Sequence, residues 1–500
     1  MKIVRFFCLI LNSKQLKMMD RITLKILNDL NQDKKREIYH TGNITIFDHK
    51  DYYSESLTLK GKVFKCNKLI FEHFSKPEFN VRFEDCIFDC EVEFDNCSFD
   101  SLIFISCEIK SREFVVLNSD LNSLEFRENT NDIHNVKTTL IKDGTIEIEG
   151  GNIKFINIEN THFKKGKLTI KNLESIENCS IIRSTLNYIT ISHCNFKSHF
   201  EYFGNKTASK LDSAFFNHCI FNHSSFFEST FNSDTHFADC VFLNISKFES
   251  TGDEIKTILR FDDCEFLKQV SFNKSRIHKI SFNNLKFYDI ISLQETYFDI
   301  VDMDRTVFDK QANFDDIQIK QIYNCNRRTI RTIKLQLQKA ENKIDYNKFR
   351  VYEFNAYRKD IKKKLKEFEK DKDHLNHRVR EPIQLKRDDF VLWISDIVSE
   401  YGTDWKRAMI FTFLSGLAAF SLFFTLENLK LNVDLKNWED FLYGYFRFFL
   451  ITDFKNEYYE TGESVLKFNC FISLIPFIIG KIAVAFGLYE MIQSFRKFKA

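Results

Sequence analysis

The chain has 500 residues, 44% of them apolar, which is enough for two or three domains and a sizeable core. Phe occurs 56 times against three Pro and 14 Gly, which excludes a collagen-like chain and a loop-rich disordered one. The net charge of +2 hides a division: residues 51–325 carry 42 acidic and 31 basic side chains, whereas residues 326–380 carry 18 basic and 8 acidic.

The first residues, MKIVRFFCLILNSKQLKMMD, contain a short apolar run from Phe6 to Leu11. The run is too short for a signal peptide and has no small-residue cleavage site, so a buried or interfacial segment is expected at the start of an N-terminal cap, residues 1–59.

From about residue 60 a small-x-large unit recurs every five residues, with slips to six. It appears as Val81/Phe83, Cys86/Phe88, Val92/Phe94 and Cys97/Phe99, and again as Ala214/Phe216, Cys219/Phe221, Thr235/Phe237 and Cys240/Phe242. A third run, FDDCEFLKQVSFNKSRIHKISFNNLKF, places large residues at Phe261, Phe266, Phe272, Ile277, Phe282 and Phe287, with Cys264 before Phe266. Two apolar residues around one polar residue make a minimal strand with one buried face. Asp, Asn and Ser in the gaps favour tight turns. A strand this short must coil, so that each turn pairs with the turns above and below and buries its large residues.

Thirteen Cys in a long chain are no disulfide framework. Eight of them stand two positions before a large apolar residue, Phe in six cases and Ile in two, so they read as small buried side chains in a reducing compartment. No CxxC pair occurs, and the adjacent pairs His193–Cys194 and His218–Cys219 would point to opposite sides of a strand, so no metal and no cofactor is expected.

These quintets resemble a degenerate form of the pentapeptide-repeat family, whose pattern centres on Leu or Phe with Ala, Cys, Ser, Thr or Val two residues earlier. The resemblance covers roughly residues 60–315, is sharpest after 205 and fades between 120 and 200, where irregular coils or an insertion are expected. It implies a mainly β chain: a right-handed, four-sided β-helix over residues 60–320, with about 20 residues per coil, on the order of 12 coils and a length of about 60 Å.

Residues 327–376 contain no Pro or Gly until the segment ends, are strongly basic, and carry a broken apolar stripe (Ile333, Leu337, Ile344, Tyr352, Ile361, Leu365, Phe368), which predicts one long helix or a helical pair. A plain connector leads contact with acidic headgroups, and nucleic acid comes last. An amphipathic pre-membrane segment, 377–407, follows.

Two uncharged or nearly uncharged stretches, 408–426 and 470–489, are each long enough to cross a bilayer and define a two-span module, residues 408–489. Lys406, Arg407, Arg496, Lys497 and Lys499 flank them, the last three in a basic tail, 490–500, so both ends are expected in the cytoplasm with the loop 427–469 outside. Within that loop, 438–451 (WEDFLYGYFRFFLI) predicts a short re-entrant or interfacial helix. Span, short helix, span is similar in layout to two-helix pore-loop cation channels. A TVGYG-like filter is replaced by TDFKNE at 452–457, so potassium selectivity does not carry over.

Lys481 lies twelfth in the second stretch, where it either faces a partner or cavity or snorkels toward the inner side. Asp440, Arg447 and Asp453 are candidates for a pore mouth, with plain solvation as the simpler reading. Pro476 and Gly480 suggest a kink. No nucleotide, hydrolase or zinc-protease motif occurs, and His374 with His377 lacks ligand company, so no enzyme is expected. The sequence therefore points to a multi-pass protein of a bacterial inner membrane, bound to lipid, homo-oligomeric and channel-like or membrane-perturbing, with a cytoplasmic rod that binds a protein of unknown identity. A second reading is a tethered scaffold whose acidic rod imitates DNA and binds a topoisomerase.

Overall fold

The computed structural model describes residues 21–23, 37–39, 42–47, 56–110, 113–128, 139–141, 144–163, 166–203, 211–227, 231–249, 257–370, 380–427, 435–452 and 471–496. The apolar run at residues 6–11, the pair His374 and His377, Asp453 and the tail lysines Lys497 and Lys499 lie outside them. The chain divides into two compact units, 1–329 and 330–500.

The first unit is a parallel β-solenoid of about 11 turns. Its local rule is alternation. In Lys68–Glu72 and Asn80–Glu84 every second side chain is buried: Leu69 and Phe71, then Val81 and Phe83. Strands this short satisfy their backbone only through the neighbouring turn. Phe261 pairs with Phe282 and Phe282 with Met303; Phe266 pairs with Phe287 and Phe287 with Phe308. On the next two sides, Val270 pairs with Ile291 and Ile277 with Phe298. Each step is 21 residues, and four ladder positions recur in each of these turns.

Some other steps are longer: 22 residues from Leu102 to Leu124, 25 from Ile189 to Ala214 and 32 from Phe114 to Ile146. The expected coil of about 20 residues and the count of 12 therefore need correction. The sides are quintets, but the corners take additional residues, so fewer and longer turns fill the same chain. At roughly 4.8 Å per turn the ladder rises about 50 Å.

The stretch between 120 and 200 belongs to the same ladder. Glu113–Arg127 and Thr145–Glu159 are 15-residue strands that pair in register, and branched side chains (Ile146, Ile148, Leu168, Ile170) occupy the inward positions. Its irregularity appears as register shifts between Ile176 and Asn178 and between Phe196 and His199. The extra length of the 32-residue step includes residues 129–138, outside the described residues. The ladder also reaches upstream of residue 60, since Arg21–Thr23 pairs with Ile44–Phe47 and the latter with Lys68–Glu72.

Inside, aromatic rows stack along the axis. Phe216, Phe237 and Phe261 follow one another at ring-centroid distances of 4.5 and 4.9 Å, and Phe221, Phe242, Phe266 and Phe287 at 5.0, 4.3 and 5.0 Å. Neighbouring rows meet edge to face, as Phe261 and Phe266 do at 5.7 Å. The expected inward residues Phe83, Cys86, Phe88, Phe94, Cys97, Phe99, Phe216, Cys219, Phe221, Phe237, Cys240, Phe242, Phe261, Cys264, Phe266, Phe272, Phe282 and Phe287 are all at most 2% exposed.

The corners explain the cysteines. His218, Asp239 and Asp263 have φ of 52, 52 and 53°, and each donates its N–H, at 3.0 Å, to a carbonyl of the following turn (Ala238, Asp262 and Asn283). The next residue is a small donor. Cys240 Sγ donates to Ala238 O at 3.3 Å and to Phe216 O, one turn back, at 3.6 Å; Cys264 does the same to Asp262 O at 3.3 Å and Phe237 O at 3.5 Å. Ser184 donates to Ile182 O at 3.0 Å and Ile158 O at 3.1 Å in an equivalent corner. Cysteine is thus a small side chain that also supplies a weak hydrogen bond.

The second unit is helical. Arg327–Lys339 (α1), which begins at the end of the first unit, and Lys343–Lys370 (α2) form the basic segment, which is a helical pair. Asn342 Oδ1 accepts the Asp345 N–H at 3.1 Å and starts α2. Glu353 joins the pair, accepting Arg331 Nε at 2.9 Å and Lys334 Nζ at 2.5 Å. Burial alone would raise the Glu353 carboxyl, but these two donors outweigh it and hold it below its ordinary value. Then come Arg380–Ser399 (α3), Trp405–Glu427 (α4), Leu435–Phe448 (α5) and Leu474–Arg496 (α6).

Two outcomes are expected. Phe237→Ala, in the middle of a stacked row, should cost about 3–5 kcal/mol in denaturant unfolding, whereas Phe215→Ala, 39% exposed, should cost far less. Burial pushes the Cys97 and Cys194 thiols up to about 12, so at pH 8 almost none of either one is thiolate in the folded chain. Mass spectrometry after iodoacetamide treatment should find both unmodified in native protein and alkylated after unfolding.

Candidate functional site

The feature of the second unit that bears on function is built on α4 and α6. Trp405–Leu426 and Leu474–Arg496 are 22 and 23 residues long, about 33–35 Å as helices, and contain 18-residue windows of mean hydropathy 2.0 and 1.7. Both are long and apolar enough to cross a membrane. Only 28% and 39% of their apolar windows are buried, and Leu414, Leu422, Ile479, Ile482 and Ile492 stand more than half exposed. A core helix of a soluble domain would hide these residues.

The two helices pack antiparallel through small residues. A Cβ on Gly487 would collide with Thr412, one on Gly416 would come within 3.2 Å of Val484, and one on Gly480 would come within 2.5 Å of the Ala419 Cβ and 2.7 Å of the Phe448 ring. As the α4 number rises the α6 number falls, which is the order of a hairpin. Trp405 and Phe495, at 5.6 Å, close its other end. Such close approach is how helices gain packing where the hydrophobic effect does not drive them together.

Helix α5 is docked against this hairpin. Phe441 meets Phe420 at 5.3 Å and Phe424 at 5.4 Å, Tyr445 Oη donates to Phe413 O at 2.9 Å, and Phe449 meets Phe413 at 5.1 Å. The helix therefore runs alongside α4 from the hairpin's loop end toward its middle. Its boundaries fall three residues earlier than the expected 438–451.

Lys481 receives the end of α5. Its Nζ is 2.9 Å from Phe448 O and 2.7 Å from Leu450 O, and it lies 4.8 and 5.6 Å from the Phe448 and Phe477 ring centroids. The residue is 4% exposed, so it does not snorkel. Its position also needs correction. Phe471–Ser473 is a short 3-10 turn and α6 begins at Leu474, which makes Lys481 the eighth residue of its helix and brings it level with the end of α5. Pro476 is the third residue of α6, where its missing N–H leaves no intrahelical bond unmade, so it gives no cause for a kink. Gly480 serves close approach instead of bending.

Of the other candidates, the described residues place Asp440 and Arg447 on α5. Asp440 lies on α5, eight residues or about 12 Å before Phe448. Arg447 is in the last turn of α5, where a cation suits the helix dipole. Asp453 and the rest of 453–457 lie outside the described residues.

Sequence reading missed a polar junction at the opposite end of the hairpin. Glu400, Tyr401 and Gly402 have φ of 49, 58 and 75°, which reverses the chain between α3 and α4. Ser399 Oγ donates to Glu490 Oε2 of α6 at 2.6 Å and accepts the Gly402 N–H at 2.7 Å. Arg350 of α2 donates to Tyr401 O at 2.9 Å, and Arg358 donates to Asp389 at 3.0 Å and Asp396 at 3.1 Å on α3. The helical pair is thus hydrogen-bonded to the root of the apolar hairpin. Glu490 and Ser399 are distant in sequence and belong to no spacing pattern, so only their meeting identifies them.

Comparison with protein-family models, with curated proteins and with solved structures finds no match for this chain. The likeness to pentapeptide repeats rests on its quintets alone. Gly480→Val should lower the midpoint of SDS-induced unfolding of the purified protein, at a cost of about 1–3 kcal/mol from overpacking. Ile479→Val, on the exposed side of the same helix, should leave it nearly unchanged.

Proposed function

We propose that this chain is an oligomeric, channel-like or membrane-perturbing protein of a bacterial inner membrane, in which the β-solenoid is a cytoplasmic rod that senses or binds a protein partner. The observation that carries the reading is the re-entrant α5, held inside an antiparallel apolar hairpin by a buried cation. A helix that enters and stops part-way leaves carbonyls at membrane depth, and non-helical backbone is tolerated there only in protein or along a wet cavity. An anchor needs no such element.

Lys406, Arg407 and Arg496 flank the end of the hairpin opposite α5, which favours a cytoplasmic side for that end, for both termini and for the rod. The junction of Arg350, Ser399 and Glu490 then offers a mechanical route from the helical pair to α6. The reading involves no catalysis and no cofactor. Imitation of DNA by the rod has less support: its acids alternate with bases in ion pairs such as Lys60–Glu84, Lys171–Glu147 and Arg260–Asp234, which break up an acidic stripe.

Purified oligomer in planar bilayers should show discrete conductance, and induced expression should depolarise cells. A silent bilayer containing correctly folded oligomer would remove the channel and leave a membrane-tethered rod. Deleting residues 400–500 separates the two, because a scaffold keeps its protein partner and a channel loses its activity.

A further inference from the structure

We propose that the end of α5 is a cation-binding site and that the Lys481 ammonium is its tethered occupant. Among the described residues the site offers two backbone carbonyl oxygens, Phe448 O and Leu450 O, and two ring faces, Phe448 and Phe477. The oxygens are neutral, but they lie at a helix C-terminus, where the aligned peptide dipoles amount to about half a negative charge. Ring faces add a further attraction for a cation that has shed water. Such a site suits a single positive charge of ammonium or potassium size. It is built, because the groups converge on one point that is 4% exposed and because Gly480 has no side chain to hold Phe448 away.

The site is distinct from conduction and would exist in a non-conducting anchor. Its consequence is a lock: α6 supplies the cation and α5 supplies the oxygens, so the two helices cannot slide apart without vacating the pocket. A vacated pocket would leave Phe448 O, buried, and Leu450 O, part-buried, without this donor, and a free monovalent cation or primary ammonium can take its place. Displacement of Lys481 and entry of a free cation are therefore two states of one site.

Chemical rescue tests this on the full-length protein in detergent. Lys481→Ala removes the side chain and should lower Tm by on the order of 5 °C or more. Adding n-propylammonium, which replaces the three missing carbons and the charge, should restore most of that loss with saturable dependence and leave wild type unmoved. Equal recovery with n-propanol would show that only space was filled and would overturn the proposal. So would absence of recovery in a variant that keeps wild-type helical content and oligomer size. Should Lys481→Ala not fold, Lys481→Met keeps the length and loses the charge. Its Tm should then rise with ammonium chloride and not with tetramethylammonium chloride, which is too bulky and has no N–H to donate; an equal response to both salts refutes the site. Conductance is not read in any arm, so a silent bilayer and a failed rescue have different meanings.

Discussion

Everything in the first unit depends on the corner hydrogen bond between successive turns. A turn of four short strands cannot satisfy its own backbone, so its carbonyls must find N–H groups in the next turn, and at the corner this happens only if one residue enters the left-handed region. Asn, Asp and His fill that place most often (Asp85, Asn96, His193, His218, Asp239, Asp263), because they tolerate a conformation that costs most residues roughly 1–2 kcal/mol, while Ser106 and Arg183 hold it in other corners. The small residue after it turns inward, donates to two carbonyls and leaves the space into which the next Phe reaches. Remove any one of the three and the other two lose their reason.

That dependence explains what could be read in advance. The donor and the Phe recur two positions apart, so Cys240/Phe242 and Cys264/Phe266 announce themselves. The left-handed residue is polar, varied and silent in a hydrophobic pattern, which is why the coil length came out short. Between 120 and 200, Ile and Leu pairs such as Ile146/Ile148 and Leu168/Ile170 occupy the inward places; they alternate like any strand, and only their ladder partners place them in the solenoid. The same holds for Arg21–Thr23, whose pairing partner lies 24 residues on.

The apolar hairpin was legible because hydropathy and length are one-dimensional properties. Its interior was not. The oxygens that hold Lys481 belong to the backbone and have no sequence signature, and a helix start at Leu474 makes Lys481 the eighth residue of its helix, level with the end of α5. Gly416 and Gly487 pass for ordinary small residues until Val484 and Thr412 are seen above them.

The two units are held together by different physics, and their compositions follow from it. In the solenoid, water drives Phe inward and the hydrogen bonds keep the register, so a large, rigid ring is the most effective residue and glycine is scarce. Between α4 and α6, which leave much of their apolar surface exposed, contact comes from close approach and from polar groups. Gly416, Gly480 and Gly487 provide the first and Lys481 the second. Lys481 therefore ties α6 to the end of α5 and adds a polar contact to the packing of Phe441, Tyr445 and Phe449 on α4.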